Sequence, residues 1–160
     1  MFEISKIIKI KLIFIISVVA LASAFFIEHV LGHQPCNLCI LERIPYLLAI
    51  IIIILNYKFV HIEKLSILLL ILIFVSATIL SLYHLGIEQG FIQESLVCDL
   101  KSGSNLLSKD EILKQLQEKN VSCKDVTFKI FGLSLTSYNI LISLLITIGA
   151  GKFYFNYDKN

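Results

Sequence analysis

The chain has 160 residues, 57% of them hydrophobic and 16% charged, with a formal net charge of +2. Soluble domains carry about a quarter charged residues, so this composition excludes an ordinary soluble domain and points to a membrane protein. There is no nucleic-acid-type basic patch, internal repeat or low-complexity run, and no nucleic-acid partner is expected.

Lys6, Lys9 and Lys11 precede the first apolar run, which is expected to span as a helix over about Leu12–Leu31. Ala22-Ser23-Ala24 resembles a signal-peptidase site. The run continues through Phe25-Phe26-Ile27, long enough for a spanning anchor, so an uncleaved first helix is expected. Three further runs, about Ile44–Val60, Leu65–Leu85 and Phe131–Gly151, approach the roughly 17–25 residues that a crossing helix needs. Within lipid their backbone groups must be satisfied inside each segment, which makes helices the default. The expected architecture is all-α: one integral membrane domain over residues 1–160, a four-helix bundle with outer loops at about 32–43 and 86–130.

The first outer loop carries Pro35-Cys36-Asn37-Leu38-Cys39, a C-x-x-C at the edge of an apolar run. Thiol–disulfide exchange needs a thiolate, favoured by a nearby positive charge or a helix amino terminus. Arg43, the only arginine among 14 cationic residues, lies four residues after Cys39, one turn away if the second helix has begun. Its guanidinium suits a thiolate or a quinone carbonyl, although Pro45 disfavours helical backbone at Ile44. Arg43 could instead be an interfacial anchor snorkelling to headgroups, and Glu28, His29, His33 and Glu42 read as interfacial polar residues rather than catalysts.

The second outer loop holds Cys98 and Cys123, separated by 25 positions. Between them Ser108 and Glu111 fit a capping box, Leu107 and Ile112 a hydrophobic staple. Ile112, Leu113 and Leu116 form the apolar stripe of a short amphipathic helix, lying on the membrane or packed on the loop's own core. Four cysteines could make a Cys₄ zinc site, but such sites usually pair two C-x-x-C knuckles, and no metal is expected. Cys98 and Cys123 could form a static brace, which the chain-entropy view of disulfides values at about 3–4 kcal/mol. A second redox-capable pair on the same face favours a relay, each step a thiolate attack through a mixed disulfide.

With four spans every cysteine falls on one side of the membrane. Cationic side chains divide seven against seven between the two sides, Arg43 and six lysines standing on the cysteine side, so a simple positive-inside count does not orient the chain. The lysine cluster before the first helix favours a cytoplasmic amino terminus. The larger loop has seven acidic residues against six lysines, a net charge of about −1. Disulfides belong to the oxidising side of a membrane, so the cysteine loops are expected in the periplasm and both termini in the cytoplasm.

The segment from His33 to Arg43 resembles the Pro-Cys-x-Leu-Cys-x-x-Glu-Arg signature of the DsbB family of disulfide bond formation proteins. Tyr83-His84-Leu85-Gly86-Ile87-Glu88-Gln89-Gly90 resembles the end of that family's third helix. Cys123-Lys124-Asp125-Val126, Phe131-Gly132-Leu133-Ser134 and Asn139 resemble the approach to its fourth. The first motif is specific; the others matter because they fall in the same order along nearly the whole chain. Phe91 and Tyr138 stand where many members have tryptophan, and Ser95-Leu96-Val97 lacks the Gly-Pro often found before the third cysteine.

The resemblance implies a four-helix bundle in the bacterial inner membrane that reoxidises a periplasmic DsbA-type thiol oxidase. Cys98 would form the mixed disulfide with that partner, and Cys123, its loop mate, would exchange with Cys36. Cys39 would be the thiolate beside a quinone, ubiquinone or menaquinone, drawn from the membrane lipid pool. Arg43 would hold and polarise that quinone. His84 and Glu88 would touch its headgroup or merely hold the end of the third helix. A vitamin K epoxide reductase-like protein fits less well, because there the loop cysteines precede the C-x-x-C. A membrane scaffold whose disulfides only brace its loops would also account for the four cysteines. An importer of reducing equivalents would need a cysteine within the spans or on the cytoplasmic face, and there is none.

Overall fold

A computed structural model of the chain describes residues 2–58, 63–93, 98, 122–124, 129–130 and 132–157. In chain order its elements are α1 (Phe2–His29), α2 (Asn37–Leu41), α3 (Ile44–Lys58), α4 (Glu63–Glu88), β1 (Lys129–Ile130), β2 (Leu133–Ser134) and α5 (Leu135–Tyr157). Among the described residues four segments are long and apolar enough to cross a membrane: Ile10–His29, Asn37–Lys58, Glu63–Glu88 and Leu135–Phe155. The protein is a multi-pass helical membrane bundle.

Adjacency runs α1 to α3, α3 to α4 and α4 to α5, the last pair being the most extensive. The main core lies between α3 and α4, where Tyr46, Ala49 and Ile53 meet Leu70, Phe74 and Ala77, with Ile10 and Ile146 closing its sides. The Tyr46 and Phe74 rings pack edge to face with centroids 5.6 Å apart. Ala49 and Ala77 are 0% and 1% exposed. Small residues at such contacts let backbones approach closely, which matters in lipid because chain burial supplies no hydrophobic drive there. Many Leu, Ile and Val side chains on the outer faces remain exposed, as a lipid-facing surface requires.

The second span is not one uniform helix. Cys36 caps α2, its sulfur accepting the Cys39 N–H at 3.2 Å, and a turn at Glu42-Arg43 leads into α3. Pro45 sits in the first turn of α3, where its missing N–H removes nothing.

Helix α4 ends at Glu88, three residues beyond the expected Leu85, in a Schellman arrangement. Phe91 N–H donates to the Gly86 carbonyl and Gly90 N–H to that of Ile87, with Gly90 at φ +78°. The fourth helix begins at Leu135 rather than Phe131. Lys129–Ile130 and Leu133–Ser134 instead pair as an antiparallel hairpin around Gly132 at φ +83°, a conformation that keeps helical geometry from starting where the apolar run does. The amphipathic segment expected over 108–118 lies outside the described residues.

Replacing Ala49 with leucine should overpack the α3–α4 contact and cost about 1–3 kcal/mol. A lowered thermal midpoint in detergent is expected; an unchanged midpoint would mean the helices do not pack closely there.

Candidate functional site

Polar groups collect at the end of the bundle where α2 joins α3. On α4, Ser81, His84 and Glu88 recur at helical spacing; on α5, Thr136, Asn139 and Ser143 repeat the same interval. The two stripes meet. Asn139 Nδ2 donates to Ser81 Oγ and to Glu42 Oε2, each at 2.8 Å, while its Oδ1 accepts from the Tyr46 hydroxyl. The Tyr46 hydroxyl is also 3.3 Å from Ser143 Oγ. Both hydrogens and the carbonyl oxygen of the half-buried Asn139 amide are thus engaged. Thr136 donates to Glu88 Oε1 at 2.6 Å.

Glu42 is the hub of this network. The residue is 8% exposed; its carboxylate accepts from Asn139 and lies 2.8 Å through Oε1 from His84 Nδ1. His84 is 1% exposed, and its other ring nitrogen, Nε2, stands 3.5 Å from Cys36 Sγ. One carboxylate therefore fixes the orientation of an imidazole that faces a cysteine sulfur.

Cys36 and Cys39 are thiols, whereas Cys98 and Cys123 form a disulfide with Cα atoms 5.9 Å apart. Cys36, Leu38, Ile87 and Cys123 make one buried cluster, against which Cys39 and Cys98 pack. Asn37 Nδ2 also donates to the Cys98 carbonyl at 3.0 Å, fastening the second loop to the first. Hydrogen bonding from the Cys39 thiol, then from the His84 ring, holds the Cys36 thiol down at about 5 against the opposing effect of burial. Such a sulfur is available as an attacking thiolate and departs readily from a disulfide.

A cavity of about 480 Å³ opens between α1 and α5, which do not pack closely along this stretch. Ile15, Val19, Ala20 and Ile142 line its apolar part; Glu28, Cys39, Glu42, Arg43 and Asn139 supply its polar end. Cys39 is on this wall and Cys36 is not, so the two sulfurs face different surroundings. His84 and Glu88 lie behind the wall, in contact with Cys36, Glu42 and Thr136.

Arg43 turns toward α1. Its Nη1 donates to Glu28 Oε2 at 2.5 Å, and its guanidinium lies 5.2 Å from the centroid of the Phe25 ring. Phe25 and Glu28 are three residues apart, hence on one helix face. By sequence Glu28 reads as an ordinary interfacial residue; the signal against that reading is a lone carboxylate inside an apolar run, where ionisable groups are rare and pair with a partner. Asn139, which bonds Glu42, and Ser81, which accepts from Asn139, are equally absent from the expected site.

A helical membrane bundle that sets a C-x-x-C dithiol against a second cysteine pair has the construction of a membrane thiol–disulfide oxidoreductase. The sequence matches the family described as disulfide bond formation protein DsbB over residues 9–152. It is 33% identical over 147 residues to the uncharacterized protein RP370 of Rickettsia prowazekii (strain Madrid E), covering 87% of this chain and 83% of that one. The chain belongs to the DsbB family, membrane oxidoreductases of disulfide bond formation.

The Arg43–Glu28 pair, partly buried and charge-assisted, should contribute about 1–2 kcal/mol. A double-mutant cycle of Glu28→Gln and Arg43→Gln on detergent stability should give a coupling energy of that size. Strictly additive losses would show that the pair does not hold α1 to α3.

Proposed function

We propose that this protein reoxidises a periplasmic DsbA-type dithiol oxidase and passes the electrons, through its two cysteine pairs, to ubiquinone or menaquinone. The whole chain acts as one membrane domain of the bacterial inner membrane, with both cysteine loops in the periplasm and both termini in the cytoplasm. The observation that carries the reading is the two-sided placement of the dithiol: Cys36 packs with Cys123, while Cys39 lines the cavity.

In the proposed relay a client thiolate attacks Cys98, and Cys123 leaves as a thiolate. Cys123 then attacks Cys36 of an oxidised Cys36–Cys39 pair, so that Cys39 departs on the cavity side. The client's second thiolate attacks its own sulfur in the mixed disulfide, forming the client disulfide and releasing Cys98; attack by Cys98 on Cys123 then restores the loop disulfide and frees Cys36. Each exchange breaks one S–S bond and forms one, and the net result is one client disulfide for two client thiols. The low pKa of Cys36 favours its departure in the last exchange.

The cavity fits the head of a quinone: about 480 Å³ falls within the range of small-molecule sites, with apolar walls and a few polar groups gathered at one end. Arg43 and Cys39 would hold the ring at that end, and the apolar walls formed by α1 and α5 would take the start of the tail. The quinone supplies an acceptor of two electrons and two protons. Arg43 offers fixed positive charge, and its tie to Glu28 sets the direction of the guanidinium. Glu42, on the cavity wall and bonded to His84, connects that wall to the Cys36 side.

Stopped-flow mixing of the purified protein with reduced DsbA and a soluble ubiquinone analogue tests the reading. Quinone reduction should be catalysed by the wild type and lost by at least a hundredfold in Cys39→Ser and in Cys98→Ser. Absence of wild-type turnover with either quinone type, while both cysteine pairs stay oxidised, would overturn it and leave a braced scaffold.

A further inference from the structure

The cluster around His84 has a composition that disulfide exchange does not by itself require. Cys36 Sγ, Cys39 Sγ and a ring nitrogen of His84 all lie within 4.8 Å of one another. Around a tetrahedral zinc ion, a sulfur at about 2.3 Å and a nitrogen at about 2.0–2.1 Å stand roughly 3.5 Å apart. Cys36 Sγ and His84 Nε2 are 3.5 Å apart. Closing the remaining edges of the triangle needs less than about 1.5 Å of movement from the sulfur of Cys39, beside the turn at Glu42-Arg43.

The surroundings also suit a cation. The Glu42 carboxylate, 2.8 Å from Nδ1, accepts a hydrogen bond from that nitrogen and leaves the Nε2 lone pair facing the sulfurs as the ligand atom. A carboxylate behind a ligating histidine is a recurrent metal-site device, because it fixes the tautomer and raises ligand basicity. Glu88 adds negative charge: its Oε1 is 3.9 Å from Nε2, and its Oε2 is buried with no hydrogen-bond partner among the described residues. The nearest fixed cation on the cavity wall, Arg43, is bound to Glu28. Cys39 opens onto the cavity, so a fourth position there can be filled by water.

We propose that the reduced Cys36–Cys39 pair and His84 form a three-ligand site for a thiophilic divalent cation, zinc above all, and that occupancy blocks reoxidation of the pair. Two thiols bind one M²⁺ and release two protons, with no change of oxidation state. The site exists only in the reduced protein, because a Cys36–Cys39 disulfide has no thiolate to offer. The metal binding stands on the geometry alone; the block of reoxidation rests on the proposed relay.

Cobalt(II) is the spectroscopic probe. A Cys98→Ser/Cys123→Ser background leaves two thiols in the full-length protein, which is reduced and freed of reductant in detergent. Titration should give one cobalt per chain, with a near-ultraviolet thiolate-to-cobalt band displaced by zinc. Cys36→Ser should abolish the band, His84→Gln should weaken binding at least tenfold, and Glu42→Gln should weaken it about 10–100-fold. No band, or a band indifferent to Cys36→Ser and His84→Gln, would overturn the proposal. X-ray absorption of the zinc-loaded, fully reduced wild type guards against misfolded variants: two sulfurs and a nitrogen support the site, whereas four sulfurs would overturn it. The same zinc-loaded protein should reduce quinone at least tenfold more slowly than its chelator-treated control. Cobalt binding without any quinone turnover in the metal-free protein would sink the relay and leave the metal site standing.

Discussion

The structure turns on the burial of the Glu42 carboxylate. A charge at this depth is costly unless paired and hydrogen-bonded, and lipid offers no water to do it. Its partners come from two other helices, His84 from α4 and Asn139 from α5. Satisfying one side chain therefore fixes the relative rotation of three spans at the level of the cysteines. Apolar contacts alone would set that rotation weakly, since large aliphatic side chains occupy both the lipid-facing and much of the core-facing surface of these helices. The remaining geometry follows. The ring of His84, held at Nδ1, presents Nε2 to Cys36, while Arg43, the next residue along from Glu42, turns to α1 and meets Glu28.

Spans, cysteine pairs and the Glu-Arg that follows the C-x-x-C are all legible in the sequence, because each is local: a run length, a spacing, an adjacent dipeptide. What stays hidden depends on which way a helix faces. In uniformly apolar segments hydrophobic periodicity carries almost no directional signal, so the sequence does not say that Glu28 meets Arg43. The start of the fourth helix is obscured for a related reason. Phe131-Gly132-Leu133-Ser134 is as apolar as the helix after it, and only the positive φ of Gly132 separates hairpin from helix. One directional signal is nevertheless present: Ser81, His84 and Glu88 on one span, and Thr136, Asn139 and Ser143 on another, both at positions i, i+3 and i+7. Polar side chains inside spans face protein rather than lipid, so matching stripes identify the two faces that meet.

The dithiol sits at a boundary between two kinds of surroundings. Cys36 is enclosed with Cys123, Leu38 and Ile87, whereas Cys39, one helical turn later, is part of an apolar cavity wall. The turn between α2 and α3 makes this possible. A continuous helix from Asn37 to Lys58 would carry Glu42 and Arg43 only about 100° apart on one cylinder. The break lets Glu42 point into the bundle while Arg43 closes against α1. Disulfide exchange needs sulfurs in line and in reach, and placing the loop pair in the same buried cluster removes much of the entropic cost of bringing them together.

Charge balance ties these features to one another. The buried group comprises two thiols and the carboxylates of Glu42 and Glu88, with the His84 ring as the one potentially cationic member among them; Arg43 is matched by Glu28. With the thiols joined as a disulfide, two carboxylates face one imidazole. Opening the disulfide adds up to two further negative charges in surroundings that solvate ions poorly. That charge cannot remain uncompensated, so reduction must bring protons, a bound cation or a polarisable acceptor to the same few ångströms. Redox state and ion content are therefore coupled at this site by electrostatics alone, whichever species supplies the compensating charge. The 2.8 Å contact between Glu42 and His84 lies at the centre of this group.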